Sequence, residues 1–264
     1  TAVSEAEDLL DRLESRLSLY IENSDTNRIN RARTGETIRI SEDTVDCLLG
    51  AFDASARLNG KFHPFMGQAA IDAKGQAAEV SRFLPLGRAA TGTAEPVLGL
   101  DPENGVATKL IEGPLLDLGG IGKGYALDRL AAHFKQWDYP VGLLESAGST
   151  FIALGAPEEA DGWELDIGFK DSVRTVRLAE GQALASSGEA FQTAHVIDPA
   201  TLDSPRGWHR SYAQSASGAL ADAASTASLL STEAELRKVV ESDDLISFAL
   251  YSDERDVYLG SFFA

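Results

Sequence analysis

Two stretches in the N-terminal part of the chain carry apolar residues at helical spacing. The stripe of the first, over residues 5–20, consists of Leu9, Leu10, Leu13 and Leu17. The stripe of the second consists of Val45, Leu48, Leu49, Phe52 and Ala56. This period predicts two amphipathic helices. Ser41 and Gly60 are residue types typical of a helix N-cap and of a helix C-terminus, so they mark the ends of the second helix. Residues 21–30 between the helices are rich in turn formers and predict a structured loop.

The second half of the chain mixes helical and alternating patterns. Helices are predicted over 125–137 and 218–230, and Thr232 with Glu235 matches a capping box that opens a further helix. Alternating or continuous apolar runs predict strands at 141–146, 150–155, 163–169, 173–181, 182–188, 245–252 and 256–263, the last two as a hairpin. Residues 61–110 are interrupted by prolines and predict short strands and loops. Helices and strands follow no strict alternation, which indicates an α+β fold.

Composition narrows the function classes. The chain of 264 residues has 23 basic and 41 acidic side chains, a net charge of −18. Such a surface repels nucleic-acid backbones and disfavours a nucleic-acid-binding role. Any site for an anionic substrate must therefore be built locally. The chain has one cysteine, Cys47, whose position in a helical apolar pattern predicts a buried structural thiol. No apolar run is long enough to predict a membrane-spanning helix, and no leader is visible in the sequence.

Residues 116–130, LDLGGIGKGYALDRL, place four glycines and a lysine before a predicted helix. The phosphate-binding Walker motif fails here, because Asp117 stands where its first glycine belongs and Gly124 where it needs Ser or Thr. The dinucleotide-binding motif fails too, because Tyr125 replaces its third glycine. Glycines ahead of a helix still allow backbone N–H groups to converge on an anion. The segment is therefore either an anion-binding loop or a tight turn into the helix.

Five segments in order along the chain resemble the FAD:protein FMN transferases, the ApbE-like flavin transferases. Residues 117–130 are similar to the family's DLGGIAKGYAVD signature, and residues 218–227, GALADAASTA, to its ADAxxTA motif. Residues 186–205 are similar to its TSG followed by HIIDPRTGxP. Residues 16–30 and 146–150 stand where the family has an early aromatic with a polar loop and a glycine-rich NAGGD. The resemblance implies one domain over residues 1–264, with an ApbE-like, T-fold-related mixed sheet, packed helices and an FAD and metal cleft between sub-lobes.

The resemblance also implies an activity. An Mg²⁺-dependent FAD:protein FMN transferase attaches FMN from FAD to a Thr or Ser hydroxyl of a flavin-acceptor protein and releases AMP. Members are commonly exported or lipid-anchored, so we expect a periplasmic or membrane-anchored protein whose leader has been removed. Two other functions stay open. If water replaces the acceptor hydroxyl, the protein is an FAD pyrophosphatase; if catalysis has been lost, it is a flavin-binding protein.

A metal site is predicted from two residues of the ADAxxTA motif. Asp222 and Thr226 are four residues apart and therefore share a face of their predicted helix. A carboxylate and a hydroxyl oxygen suit Mg²⁺, although such a pair also occurs on solvated helix faces. The resemblance implies a third ligand, the backbone carbonyl of Gly122.

The resemblance assigns further site residues. It implies that His195 accepts the proton of the attacking hydroxyl, a role that suits an imidazole titrating near neutrality. Without the motif, the sequence would indicate only a histidine packed beside a strand. It implies that Tyr20 packs against the flavin, although this aromatic could equally end a core helix. It implies that the remaining cofactor-binding positions are Asp117, Gly119, Gly120, Lys123, Asp128, Gly148, Ser149, Ser187 and Gly188.

Three segments depart from the family pattern. His63 replaces an aspartate in the segment GKFHPF, and Ser149 with Thr150 replaces the glycine–aspartate pair of NAGGD. The turn after Asp198 loses its glycine and is longer. These changes indicate either neutral drift or an altered ligand preference.

Overall fold

The computed structural model describes residues 1–87, 96–188, 196–204 and 207–262. Within these ranges the helices are α1 (Ala2–Leu17), α2 (Asp25–Arg31), α3 (Glu42–Arg57), α4 (Gly67–Lys74), α5 (Ala77–Val80), α6 (Gly122–Gln136), α7 (Gly218–Leu229) and α8 (Glu233–Ser242). The strands are β1 (Thr37–Arg39), β2 (Leu98–Asp101), β3 (Val106–Lys109), β4 (Gly142–Ser146), β5 (Thr150–Gly155), β6 (Trp163–Phe169), β7 (Ser172–Leu178), β8 (Ala183–Gly188), β9 (Arg210–Ser215), β10 (Ser247–Tyr251) and β11 (Asp256–Leu259). None of the helices described in these ranges is long and apolar enough to span a bilayer.

The strands form antiparallel sheets. The largest has the order β11-β10-β9-β8-β5-β4, while β1-β3-β2 and β6-β7 form smaller sheets. Antiparallel sheets with helices packed on them constitute an α+β fold, so the predicted fold class is confirmed. The predicted C-terminal hairpin is also present, with Phe248 paired to Leu259 and Tyr251 paired to Asp256.

Side-chain caps determine where most of the long helices begin. Ser41 accepts a hydrogen bond from the Thr44 N–H at the start of α3, as its residue type predicts. Thr232 and Glu235 form the predicted capping box of α8, with hydrogen bonds in both directions. These caps use only local backbone groups, which explains why the sequence alone locates the starts of these helices.

The predicted apolar stripes are too wide in two places. Leu9, Leu13 and Leu17 of α1 are buried, but Leu10 is 41% exposed. On α3, Leu49 is 44% exposed. Each of these leucines adjoins a buried residue of its stripe, yet the turn of the helix carries it past the edge of the packed face.

Helix α7 lies at the centre of the core. Ten of its 12 residues are buried, and it packs against α3, α6 and strands β5, β8 and β9. Its residues are mostly alanine and serine, whose small side chains allow this close approach. Cys47 of α3 is fully buried, as predicted, and burial raises the pKa of its thiol far above the usual range.

Four regions differ from the sequence prediction, and in one of them residues 37–39 form the unpredicted strand β1. Residues 25–31 form α2 rather than a loop, because Ser24 caps them and Asn27 donates to the carbonyls of Leu19 and Ile21. Residues 61–110 contain helices α4 and α5 as well as strands β2 and β3. Strand β9 was not predicted, because its RSYAQS sequence carries too few apolar side chains to show a strand pattern; its neighbours β8 and β10 and helix α7 bury it.

Candidate functional site

The glycine loop leads directly into α6. The Asp117 carboxylate accepts a hydrogen bond from the Gly119 N–H at 2.8 Å, and the Asp117 N–H donates to the Pro64 carbonyl at 2.8 Å. The Gly122 N–H donates to the Leu118 carbonyl at 2.7 Å, and α6 begins at Gly122. The helix has no side-chain cap. Backbone turns therefore hold the loop, and Gly119 and Gly120 remain on the wall of a cavity.

Helices α6 and α7 meet at a pair of glycines. A Cβ atom on Gly124 would lie 1.9 Å from the Gly218 carbonyl oxygen, so only glycine fits there. Asp128, one turn further along α6, accepts hydrogen bonds from the Gly218 N–H at 2.7 Å and the Ala219 N–H at 2.9 Å. This carboxylate also accepts from the Ser217 hydroxyl. Burial raises the pKa of Asp128, and these donors oppose the rise. Asp128 thus fixes the start of α7 against α6.

Asp222 lies inside this helix contact. Its side chain is only 3% exposed, and its two carboxylate oxygens accept hydrogen bonds from the Lys123 ammonium at 2.9 and 3.2 Å. The Gly124 N–H at 3.2 Å and the Thr150 hydroxyl at 3.5 Å complete its contacts. Burial raises the pKa of Asp222, and the Lys123 charge opposes the rise. Helix α6 and strand β5 thus both contact the carboxylate that α7 carries.

Hydroxyl groups extend the site from Asp222 toward the cavity. The Ser187 hydroxyl, at the end of β8, is 2.8 Å from the Ser225 hydroxyl and 3.2 Å from the Thr226 hydroxyl. The Ser211 hydroxyl of β9 donates to the Ser225 carbonyl at 2.6 Å. Carboxylate, hydroxyl and carbonyl oxygens in this arrangement are the ligand types that Mg²⁺ prefers. No cluster of three or more His, Cys, Asp or Glu residues with metal-binding geometry occurs in the described ranges. A metal here would therefore rest on Asp222 together with neutral oxygens.

The cavity beside this cluster has a volume of about 390 Å³, which is within the range of small-molecule sites. Its described lining contains five charged side chains, and four of them are cationic. The cations are Lys61, Lys74, Lys123 and Arg210, and the single anion is Asp117. In a chain of net charge −18, this lining has a local excess of cationic side chains, two of which, Lys61 and Lys123, are each paired with an aspartate. Such an excess suits an anionic ligand.

Each cation has a defined position. Lys61 donates to Asp198 at 2.7 Å. Arg210 donates to the Ser186 hydroxyl at 3.0 Å. The Lys74 ammonium lies 5.9 Å from the centre of the Tyr20 ring. Sequence reasoning did not find these three cations as site residues. Their only shared signal is positive charge in an acidic chain, and the fold alone brings them together.

His63 also lines the cavity. Its Nδ1 accepts a hydrogen bond from the Phe65 N–H at 3.3 Å, and its ring packs at a tilt against the Phe65 ring with the centroids 5.9 Å apart. Burial lowers the pKa of His63. The neutral imidazole with Nδ1 as acceptor carries its proton on Nε2, so this histidine is an N–H donor where the family pattern has an acid.

The predicted residues divide into two groups. Those in the described lining of the cavity are Asp117, Gly119, Gly120, Lys123, Ser149, Ser187, Gly188 and Thr226. Asp222 lies behind this lining, in the contact of α6 with α7, and Gly122 is the first residue of α6 and lies outside the described lining. His195 lies outside the described residues. For every one of these positions, contact with a cofactor or metal stays a prediction.

Tyr20, Gly148 and Asp128 lie outside the described lining. The Tyr20 hydroxyl donates to the Gln76 side chain at 2.6 Å, and burial raises the pKa of Tyr20 to about 12. Gly148 lies between the lining residues Ala147 and Ser149, in the left-handed conformation that favours glycine (φ +64°). Asp128 uses its carboxylate at the N-terminus of α7, a role that the motif did not indicate.

Comparison with known proteins places this site in a family. The profile of the ApbE family matches residues 2–249. The chain belongs to the ApbE family. No curated protein matches it. Among solved structures, it is similar to the ApbE protein of Thermotoga maritima, with 22% identity, a TM-score of 0.82 and coverage of 100% of this chain and 91% of that one.

Two further solved ApbE structures have a similar fold. The flavinyl transferase ApbE of Pseudomonas stutzeri, in its apo form, has 20% identity, a TM-score of 0.81 and coverage of 100% of this chain and 88% of that one. The flavin transferase ApbE of Vibrio cholerae has 18% identity, a TM-score of 0.80 and coverage of 99% and 89%. At these identities the likeness establishes the fold alone, and the family profile confirms the resemblance seen in the sequence motifs.

Proposed function

We propose that this ApbE-family protein is a flavin transferase that moves FMN from FAD to a Thr or Ser hydroxyl of an acceptor protein, with Mg²⁺ and with release of AMP. The observation that carries the proposal is the excess of cationic side chains in the cavity lining, which also contains the glycine-loop residues Gly119 and Gly120. A dinucleotide joined by a pyrophosphate presents the negative charge that such a cavity accommodates. Family membership supports the same reaction class.

The donor set beside the cavity fits Mg²⁺. Asp222 would provide the carboxylate, Thr226 the hydroxyl, and Gly122 at the start of α6 the backbone carbonyl. When bound, Mg²⁺ would neutralise charge on the phosphates and make the bridging oxygen a better leaving group. The surrounding residues hold these ligands in place: the Gly124 N–H and Thr150 orient Asp222, and Ser187 contacts Thr226.

The reaction exchanges one phosphorus–oxygen bond for another. The acceptor hydroxyl oxygen attacks the FMN phosphorus, the bond from that phosphorus to the bridging oxygen breaks, and AMP leaves with the bridging oxygen. The proton of the hydroxyl passes to a base, for which we propose His195. The cationic lining residues, among them Lys123 and Arg210, would bind the phosphates and orient them for attack.

The test measures AMP release from FAD, with Mg²⁺ or with EDTA, and flavin covalently bound to an acceptor protein that carries a target threonine. Mg²⁺-dependent AMP together with a fluorescent acceptor band supports the transferase. AMP accompanied only by free FMN would identify a pyrophosphatase instead. Bound flavin without AMP under any condition would identify a flavin-binding protein.

Two matched variants link the activity to the site. Asp222→Asn is expected to abolish Mg²⁺-dependent AMP release, because an amide cannot replace a charged metal ligand. Asp244→Asn, an equal charge change at an exposed position, is the control and is expected to retain it. Equal activity in both variants would rule out a metal site at Asp222.

A further inference from the structure

Lys123 connects two environments. Its ammonium contacts both oxygens of the buried Asp222 carboxylate, at 2.9 and 3.2 Å. The Lys123 side chain is 37% exposed whereas that of Asp222 is 3% exposed, and Lys123 lines the cavity. The flexible Lys123 side chain thus contacts the Asp222 carboxylate and has the open space of the cavity beside it.

The Asp222 carboxylate cannot serve Lys123 and a divalent cation in the same way. A metal ligand must direct an oxygen lone pair at the cation from about 2.0–2.1 Å in the case of Mg²⁺. The ammonium contacts both of these oxygens, and the Gly124 N–H and Thr150 hydroxyl take up further directions. The positive charge of Lys123 would also repel a cation so close by. Lys123 must therefore withdraw before Asp222 can bind a metal.

We propose that Lys123 is a mobile counter-ion that neutralises Asp222 until a divalent cation replaces it and then turns into the cavity to bind a phosphate of the substrate. The inference rests on the proposed function, because it assigns Lys123 two positions within that same site. Lysine suits this role as a compact charge on a stem of four methylene groups, which moves without rearranging a hydrogen-bonding fork. The buried carboxylate thereby has a positive partner in both states.

The exchange couples the two ligands. A divalent cation that displaces Lys123 adds a positive charge to the cavity wall, and an anion in the cavity stabilises the displaced lysine. Each ligand therefore increases the affinity for the other by the same factor. Lys123 acts here as a positioning residue, and its effect is measured by binding rather than by turnover.

The test is the affinity for Mg²⁺ in the absence of nucleotide, measured by isothermal titration calorimetry. Lys123→Met removes the competing ammonium, so we expect it to bind Mg²⁺ about tenfold or more tightly than the unmodified protein. Lys238→Met removes an equal charge at an exposed position of α8, away from the cavity lining. It therefore controls for general electrostatics and is expected to change the affinity by no more than about threefold.

A second titration adds AMP as the phosphate probe. AMP is expected to increase the Mg²⁺ affinity of the unmodified protein and of Lys238→Met, and to have little effect on Lys123→Met. Unchanged or weaker Mg²⁺ binding by Lys123→Met would overturn the proposal, as would an equal gain in Lys238→Met or the absence of Mg²⁺ binding in all three proteins.

Folding is controlled separately, since removing Lys123 leaves a buried carboxylate without its counter-ion. Lys123→Gln keeps a hydrogen-bond donor for Asp222 without the charge. If Lys123→Met fails to fold by circular dichroism, Lys123→Gln carries the same expectation. AMP release by the unmodified protein is a separate measurement, so failure of the transferase proposal is distinguishable from failure of the lysine exchange.

Discussion

Replacing Gly124 with alanine tests whether the close contact of α6 with α7 positions the site. The new Cβ would lie 1.9 Å from the Gly218 carbonyl oxygen, 2.3 Å from its carbonyl carbon and 2.7 Å from the Ala219 nitrogen. All three are backbone atoms, so no side chain can turn aside. With ordinary contacts near 3.5 Å, one of the two helices must move by roughly 1.6 Å.

The loss in free energy of unfolding follows from the size of that displacement. Overpacking costs about 1–3 kcal/mol, and a clash with backbone belongs at the upper end of that range. Alanine recovers about 1 kcal/mol of helix propensity relative to glycine. The free energy of unfolding should therefore fall by about 2 kcal/mol, which corresponds to a decrease in Tm of roughly 4–8 °C for a chain of this size. Because the Gly124 N–H contacts Asp222, AMP release should fall as well.

Gly122→Ala is the matched control in the same loop. A Cβ at Gly122 meets no atom within 4 Å, and the family signature itself carries alanine there. We expect unchanged or slightly increased stability in urea denaturation, by up to about 1 kcal/mol. If Gly124→Ala has a free energy of unfolding within about 0.5 kcal/mol of the unmodified protein, the helix contact is not the constraint that we describe.

Three further predictions concern ionisable groups. Asp222→Asn should lower the Tm at pH 7, because it removes the negative partner of the Lys123 ammonium and places an NH2 group where a carboxylate oxygen now accepts hydrogen bonds; an unchanged or higher Tm would contradict this. Burial lowers the pKa of His63 in the folded protein. The stabilisation that follows from its neutral form is therefore present above about pH 6.5, the ordinary pKa of a histidine, and is lost as the pH falls through the pKa of the folded state. His63→Gln should therefore give a flatter profile of Tm against pH below about 6.5, and an unaltered profile would count against this assignment. Asp128→Ala removes three acceptor contacts at the N-terminus of α7 and should cost about 1–3 kcal/mol in urea denaturation, with Asp244→Ala, an exposed acid, as the control.

Sequence patterns predicted the elements whose determinants are local. The apolar period and the caps at Ser41 and Thr232 located α3 and α8, because a helix forms its backbone hydrogen bonds within its own segment. Strand β9 escaped prediction because its neighbours in the sheet, β8 and β10, bury its polar residues. Its burial is a property of the assembled sheet rather than of its own sequence.

In the candidate site, too, only the features with local determinants could be predicted from the sequence. The spacing of Asp222 and Thr226 predicted one shared helix face, but it did not indicate that Asp222 would be buried behind the cavity. The contact of Lys123 with Asp222 joins positions 99 residues apart, and that of Lys61 with Asp198 joins positions 137 apart. Such pairings depend on the packing of α6 against α7 and of loops against each other, which no local pattern encodes.

The buried position of Cys47 has a practical consequence for spectroscopy. It is the only cysteine of the chain, it is fully buried, and its raised pKa keeps it in the unreactive thiol form. A cysteine introduced at an exposed position such as Asp72 on α4, one turn from the cavity-lining Ala69, would be the only thiol open to a maleimide dye. The native chain thus already provides the background for attaching a single fluorophore beside the cavity, without first removing a natural cysteine.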